Sequence, residues 1–238
     1  MDWKVEMVGD MADLSALAQT LTGVDVNIAR DGQGYVLTSS AFDPSMNAEA
    51  VRQRAQDIAD RLTGAARLAL GATSPIRVGS VRRVRDDGTG ALYIFPAPAV
   101  LSIRGFAPTL VLTNPDGTVE ERHPADPVRR WLLLAQNDEQ VDRVFKIFAN
   151  GDLSWSNLFK VFEIVRRDCG GEGAAQSAGW ATKKSMDLFR RTANSFEAVG
   201  LDARHGVEKN QPPSTPMDIS EARSLITTLV HAWLRSKS

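Results

Sequence analysis

The hydrophobic pattern of the chain changes character about halfway along. From Trp3 to Val8 apolar and polar side chains alternate, which is the period of a half-buried strand. Leu14, Leu17 and Leu21 then recur at helical spacing from Asp13 to Leu21, with Asp13 as the expected N-cap. Two short β-prone runs, Val24 to Ala29 and Tyr35 to Ser39, flank Asp31-Gly32-Gln33-Gly34, so a hairpin is expected there. A long helix follows from about Asn47 to Leu70. Val51, Ala55, Ile58, Ala59 and Leu62 form its apolar face, Arg52, Arg54, Asp57 and Asp60 its polar one, and Gly64 is a candidate break. Ile76 to Val84 and Ala91 to Phe95 read as strands around a second turn, Asp86-Asp87-Gly88-Thr89-Gly90. The order β-α-β-β-α-β-β predicts an α+β domain, a small antiparallel sheet with helices on one face.

Prolines punctuate the middle, at Pro96, Pro98, Pro108 and Pro115. Val100 to Ile103 and Thr109 to Leu112 are candidate short strands, and Asn114-Pro115-Asp116-Gly117 is a turn. The β-rich pattern stops at His123-Pro124-Ala125-Asp126-Pro127, so the domains are expected at residues 1–123 and 124–238. Beyond that point helical spacing takes over. One stretch runs from Val128 to Phe148, with a break at Asn137-Asp138. A second runs from Leu153 to Asp168, with Trp155, Leu158, Phe159, Phe162 and Val165 on one stripe. Gly170-Gly171-Glu172-Gly173 opens a mobile loop, and a further helix spans Thr182 to Phe196. The last, from Ile219 to Leu234, starts with Asp218 and Glu221 at capping-box spacing. Helices joined by polar loops predict a compact α-helical bundle.

Composition narrows the function classes. The 238 residues carry a formal net charge of -1, so any attraction to nucleic acid has to come from a local patch. The single cysteine, Cys169, cannot form an internal disulfide, and the start of the chain lacks the basic-then-apolar order of a signal peptide. A cytoplasmic protein with no membrane span is expected. No P-loop, dinucleotide glycine fingerprint, nucleophile elbow or His-Glu-x-x-His is present, and no cofactor is expected. Glu163, Asp168 and Asp187 are read as a solvated helix face rather than a metal site, because the three histidines are scattered. Arg77, Arg82, Arg83 and Arg85, the densest basic run, are read as a solvated strand face diluted by Asp86 and Asp87.

The remaining chemistry lies between Phe189 and Trp233. Here a helix ends at Asn194-Ser195, the step Ala203-Arg204-His205-Gly206 follows, and Ile219-Ser220-Glu221-Ala222 opens the closing helix. On these residues the helical half resembles the HEPN superfamily of small α-helical bundles. Many of its members are metal-independent endoribonucleases of toxin–antitoxin or antiphage systems that act as dimers, with an Arg and a His a few residues apart. The resemblance implies a homodimer through the bundle, RNA as substrate, His205 as acid/base and Arg204 as phosphate ligand. Arg190, Arg191 and Asn194 are the accompanying candidates for nucleic-acid contact. Arg204 and His205 are adjacent, which departs from the family spacing. The same step also reads as a surface turn, and Asn194 as a left-handed helix cap. The alternative function is a non-catalytic dimerisation or scaffold protein that uses the bundle as its interface.

Overall fold

The computed structural model describes residues 2–23, 25–72, 74–85, 89–95, 110–113, 119–123, 125–204 and 212–237. Contacts divide the chain into two compact units, Met1–Leu133 and Leu134–Ser238. The division falls inside a helix rather than at the proline cluster ahead of it.

In the first unit, alternation along β1 (Asp2–Val8) turns Trp3, Val5 and Met7 inward and leaves Lys4 and Glu6 on the opposite face. After α1 (Met11–Thr20) come β2 (Asn27–Asp31) and β3 (Gly34–Thr38), then α2 (Ala48–Leu70), β4 (Arg77–Val84) and β5 (Gly90–Tyr93). The strands form one antiparallel sheet in the order β2-β3-β1-β4-β5. Strand β1 therefore lies between β3 and β4, and each helix connects two strands with a third between them. Up to β4 this is the split β-α-β, ferredoxin-like arrangement, extended at one edge by β5. Helix α1 packs against β2, and α2 against β4 and β1. Their buried Leu14, Leu17, Val51, Ala55, Ile58 and Leu62 meet a sheet face made of Val5, Ile28, Leu37, Val78 and Val81. Each such Val, Leu or Ile side chain stabilises by about 2 kcal/mol.

The outer face is polar. Asp31 faces Lys4 at 4.0 Å and Arg82 at 3.5 Å. The register of β1 and β4 slips between Val5 and Met7, so Glu6 stands opposite both Gly79 and Ser80. Its carboxylate accepts hydrogen bonds from the Ser80 backbone N–H (3.0 Å) and hydroxyl (2.7 Å), which hold its pKa below the usual range. A Cβ at Gly79 would lie 2.7 Å from Glu6 Oε2, so a side chain there would displace the Glu6 carboxylate from its place over Ser80.

Three sequence expectations shift here. The N-cap of α1 is Asp10, which accepts from the N–H groups of Ala12 and Asp13, while Asp13 is buried in the first turn. Helix α2 does not break at Gly64. Leu62, Ala65, Ala66 and Leu68 keep the buried face continuous, and the helix ends at Gly71, whose φ of 61° is the left-handed cap. Strand β6 (Leu110–Thr113) occupies the expected place and pairs with β7 (Val119–Arg122), which the pattern did not announce. The candidate strand from Val100 to Ile103 and the turn Asn114-Pro115-Asp116-Gly117 lie outside the described residues.

Helix α3 (Asp126–Asn137) carries the division between units. The expected break at Asn137-Asp138 starts α4 (Glu139–Ala149), because the Asp138 side chain caps the N–H groups of Gln140 and Val141. The second unit continues with α5 (Trp155–Asp168), α6 (Glu172–Ser177), α7 (Lys183–Asn194), α8 (Phe196–Val199), a 3-10 turn over Gly200–Asp202, and α9 (Ile219–Ser236). Helix α6 stands where a mobile loop was expected. Its six residues are too few to display a helical period. Helix α5 packs against α4, α7 and α9. Phe189 of α7 sits among Trp155, Phe159 and Phe162 of α5, with ring centroids 6.0, 6.1 and 5.3 Å away. Asp218 and Glu221 form the expected reciprocal capping box. Thr192, fully buried, accepts from the N–H of Met217 at 3.1 Å and ties α7 to the lead-in of α9.

Candidate functional site

Helix α7 begins at Thr182, whose hydroxyl accepts from the N–H of Ser185, and ends when Ser195 adopts an extended conformation. Ser195 in turn caps α8. The chain then doubles back. The N–H of Arg204 donates to the carbonyl of Ala193 at 3.1 Å, so residue 204 lies against the end of α7 beside Asn194. The structure thus brings together two candidates that the sequence separates.

The Arg204 side chain lies across α5. Its Nη2 is 3.0 Å from Glu163 Oε1, and its guanidinium stands 4.5 Å from the centre of the Phe159 ring. Both ion-pair partners are more than a third exposed, so the pair itself contributes little net stability. What it does is fix orientation, because the planar guanidinium is held by a carboxylate at its edge and an aromatic ring at its face. Part of the donor fork remains open to solvent.

Asn194 is the last residue of α7 and is not a left-handed cap, since no residue other than glycine has positive φ among those described. The extended Ser195 makes the turn instead. Asn194 Nδ2 donates to the carbonyl of Arg190 at 2.8 Å, whereas its Oδ1 is buried without a hydrogen-bond partner. An unsatisfied buried oxygen costs about 1–3 kcal/mol. Arg190 is paired with Asp187 (2.6 Å) and Glu172 (3.4 Å), and Arg191 reaches the carbonyl of Pro212 at 3.5 Å. His205 lies outside the described residues.

The carboxylates Glu163, Asp168 and Asp187 are dispersed. Glu163 serves Arg204, Asp187 serves Arg190, and Asp168 meets Lys237 and the indole N–H of Trp233. Among the described residues no group of three or more His, Cys, Asp or Glu is placed to hold a metal ion. On the first unit, Arg82 is on the outer sheet face, whereas Arg83 stacks on Trp3 and donates to the carbonyl of Pro44.

Sequence reasoning missed two features of this region. One is the pairing of Arg204 with Glu163 and Phe159. The other is a groove of about 510 Å³ between α4 and α5, lined by Gln140, Arg143, Glu163, Arg166 and Arg167. Neither leaves a signal in spacing, because the partners are far apart along the chain. Comparison with family models, curated proteins and solved structures returns no match. No helix among the described residues is long and apolar enough to cross a membrane.

Proposed function

We propose that the chain is an RNA-directed effector, a metal-independent endoribonuclease of toxin or antiphage type, with the first unit sensing or docking a partner. The observation that carries the reading is the return of Arg204 onto the end of α7, beside the unsatisfied oxygen of Asn194 and one turn from Arg190. An oriented arginine fork suits the phosphate oxygens of RNA, and a shift of the Asn194 side chain that uncovers its unsatisfied oxygen would give the adjacent ribose hydroxyl an acceptor. In this reading Arg204 binds the scissile phosphate and spreads its developing charge. His205 takes the proton of the 2′-OH as that oxygen attacks phosphorus. The 5′-oxygen leaves with a proton from the second histidine of a homodimer, so base and acid are the same residue in two protomers.

The test is cleavage of labelled RNA by the full chain. His205→Ala is expected to abolish cleavage with an unchanged melting curve, and a chelator to leave the rate unaltered. Cleavage that persists in His205→Ala overturns the catalytic assignment.

A second reading has its own support. Leu201 is 94% exposed and Phe196 44% exposed on the short segment that leads to Arg204, and apolar groups there suit a protein interface. A stable dimer without activity on a range of RNAs selects this non-catalytic scaffold.

A further inference from the structure

The groove between α4 and α5 gathers three arginines along one side of the helical unit. Arg143, Arg166 and Arg167 line it, with Gln140 and the apolar Ile164. The nearby carboxylates are engaged. Glu163 is taken by Arg204 at 3.0 Å and Asp168 by Lys237 at 2.6 Å, while Glu172 is divided between Arg190 (3.4 Å) and Arg166 (3.9 Å). Arg143 meets Glu139 at 2.6 Å, but that i,i+4 pair is well exposed and is easily exchanged for a better partner. Arg167 makes no ion pair among the described residues.

Arginine forks match phosphate oxygens two at a time, and a groove of about 510 Å³ is of the size that takes small polar ligands. One residue links this groove to the Arg204 site: Glu163 lines the groove and also holds Arg204. We infer that the α4/α5 groove is the track along which the RNA backbone approaches Arg204, with Arg143 and Arg167 as its phosphate contacts. The inference rests on the RNA-directed reading above.

The experiment is a fluorescence-polarisation titration of the full chain with a labelled single-stranded RNA over a series of salt concentrations. The double variant Arg143→Gln, Arg167→Gln is expected to bind at least about tenfold more weakly. Its slope of log affinity against log salt should be shallower by about 1.4, the loss of two phosphate contacts on a single strand. Arg54→Gln, an exposed change on α2 of the first unit, should leave both values as they were. A parent chain that binds RNA and a double variant that binds it equally well overturn the groove and leave the RNA reading standing. A parent chain that binds no RNA overturns both. Competition by inorganic phosphate as effective as unlabelled RNA, phosphate for phosphate, reassigns the groove to a free anion and also overturns the track.

Discussion

Lys237 shows how much one side chain can organise. It follows α9 directly, and its ammonium lies 2.6 Å from both Asp138 Oδ2 and Asp168 Oδ2 and 5.0 Å from the centre of the Trp233 ring. The end of α9 is thereby tied to the start of α4 and the end of α5. Desolvation, the largest single influence on both Asp138 and Lys237, opposes their charged forms. The bond between them outweighs it, with help from the Val141 and Gln140 N–H groups on Asp138 and from Asp168 on Lys237. Asp138 stays below its usual pKa of 3.8 and Lys237 above its usual 10.5. A lowered carboxylate contributes stability above its unfolded pKa and loses it as the pH falls through the folded value. A raised ammonium contributes below its unfolded pKa and loses that as the pH rises through the folded value. Lys237→Met should therefore cost about 2 kcal/mol at neutral pH, read by urea denaturation, because it leaves two partly buried carboxylates without their cation. The gap from the parent should hold steady across neutral pH, narrow only below 3.8, and narrow again only above 10.5.

At the scale of elements, helix ends carry as much information as helix faces. The Asp218 side chain accepts from Ser220 N–H (2.7 Å) and Glu221 N–H (2.8 Å), and Glu221 returns the bond to Asp218 N–H at 3.2 Å. Asp218→Ala should lower stability by about 1 kcal/mol, seen as a lower urea midpoint at unchanged slope. A changed slope would mean that α9 no longer unfolds with its unit. Elements with a whole buried face, such as β1, α2, α5 and α9, were legible in the sequence, since each repeats its period several times. Helix α6 was not, because six residues are too few to establish a helical period, and strand β7 was not, because Val119 is its one apolar residue beside three charged ones. Position within an element was also less legible than its existence. Asp13 was the expected cap, and the extended backbone and side-chain bonds of Asp10 move the cap three residues earlier.

For the whole molecule, the division inside α3 has a consequence. Ala125, Val128, Trp131 and Leu132, on the α3 side of the proline cluster, are buried and belong with the first unit. A fragment of residues 1–137, which keeps all of α3, should unfold in one cooperative transition followed by circular dichroism. A fragment of residues 1–123, ending where composition changes, should be less stable by several kcal/mol, since four buried side chains are lost at about 1–2 kcal/mol each. Equal melting of the two fragments would show that α3 adds nothing to the first unit.

Local chemistry determined most of the elements of this protein. Side-chain periodicity, turn residues and caps act over a few neighbouring positions, so the α+β half, the helical half and the closing capping box could be read along the chain. Partner choice was decided only in three dimensions. The strand order β2-β3-β1-β4-β5, the bulge that sets Glu6 against Gly79 and Ser80, and the return of Arg204 to the end of α7 depend on which distant surfaces bury best together. The same holds for the carboxylates. Sequence names Glu163, Asp168, Asp187 and Arg190 as charged residues on helices and Arg204 as one in the step before the last helix. Packing alone determines that Glu163 holds Arg204 while Asp168 turns to Lys237, and that Arg143, Arg166 and Arg167 meet along the groove between α4 and α5.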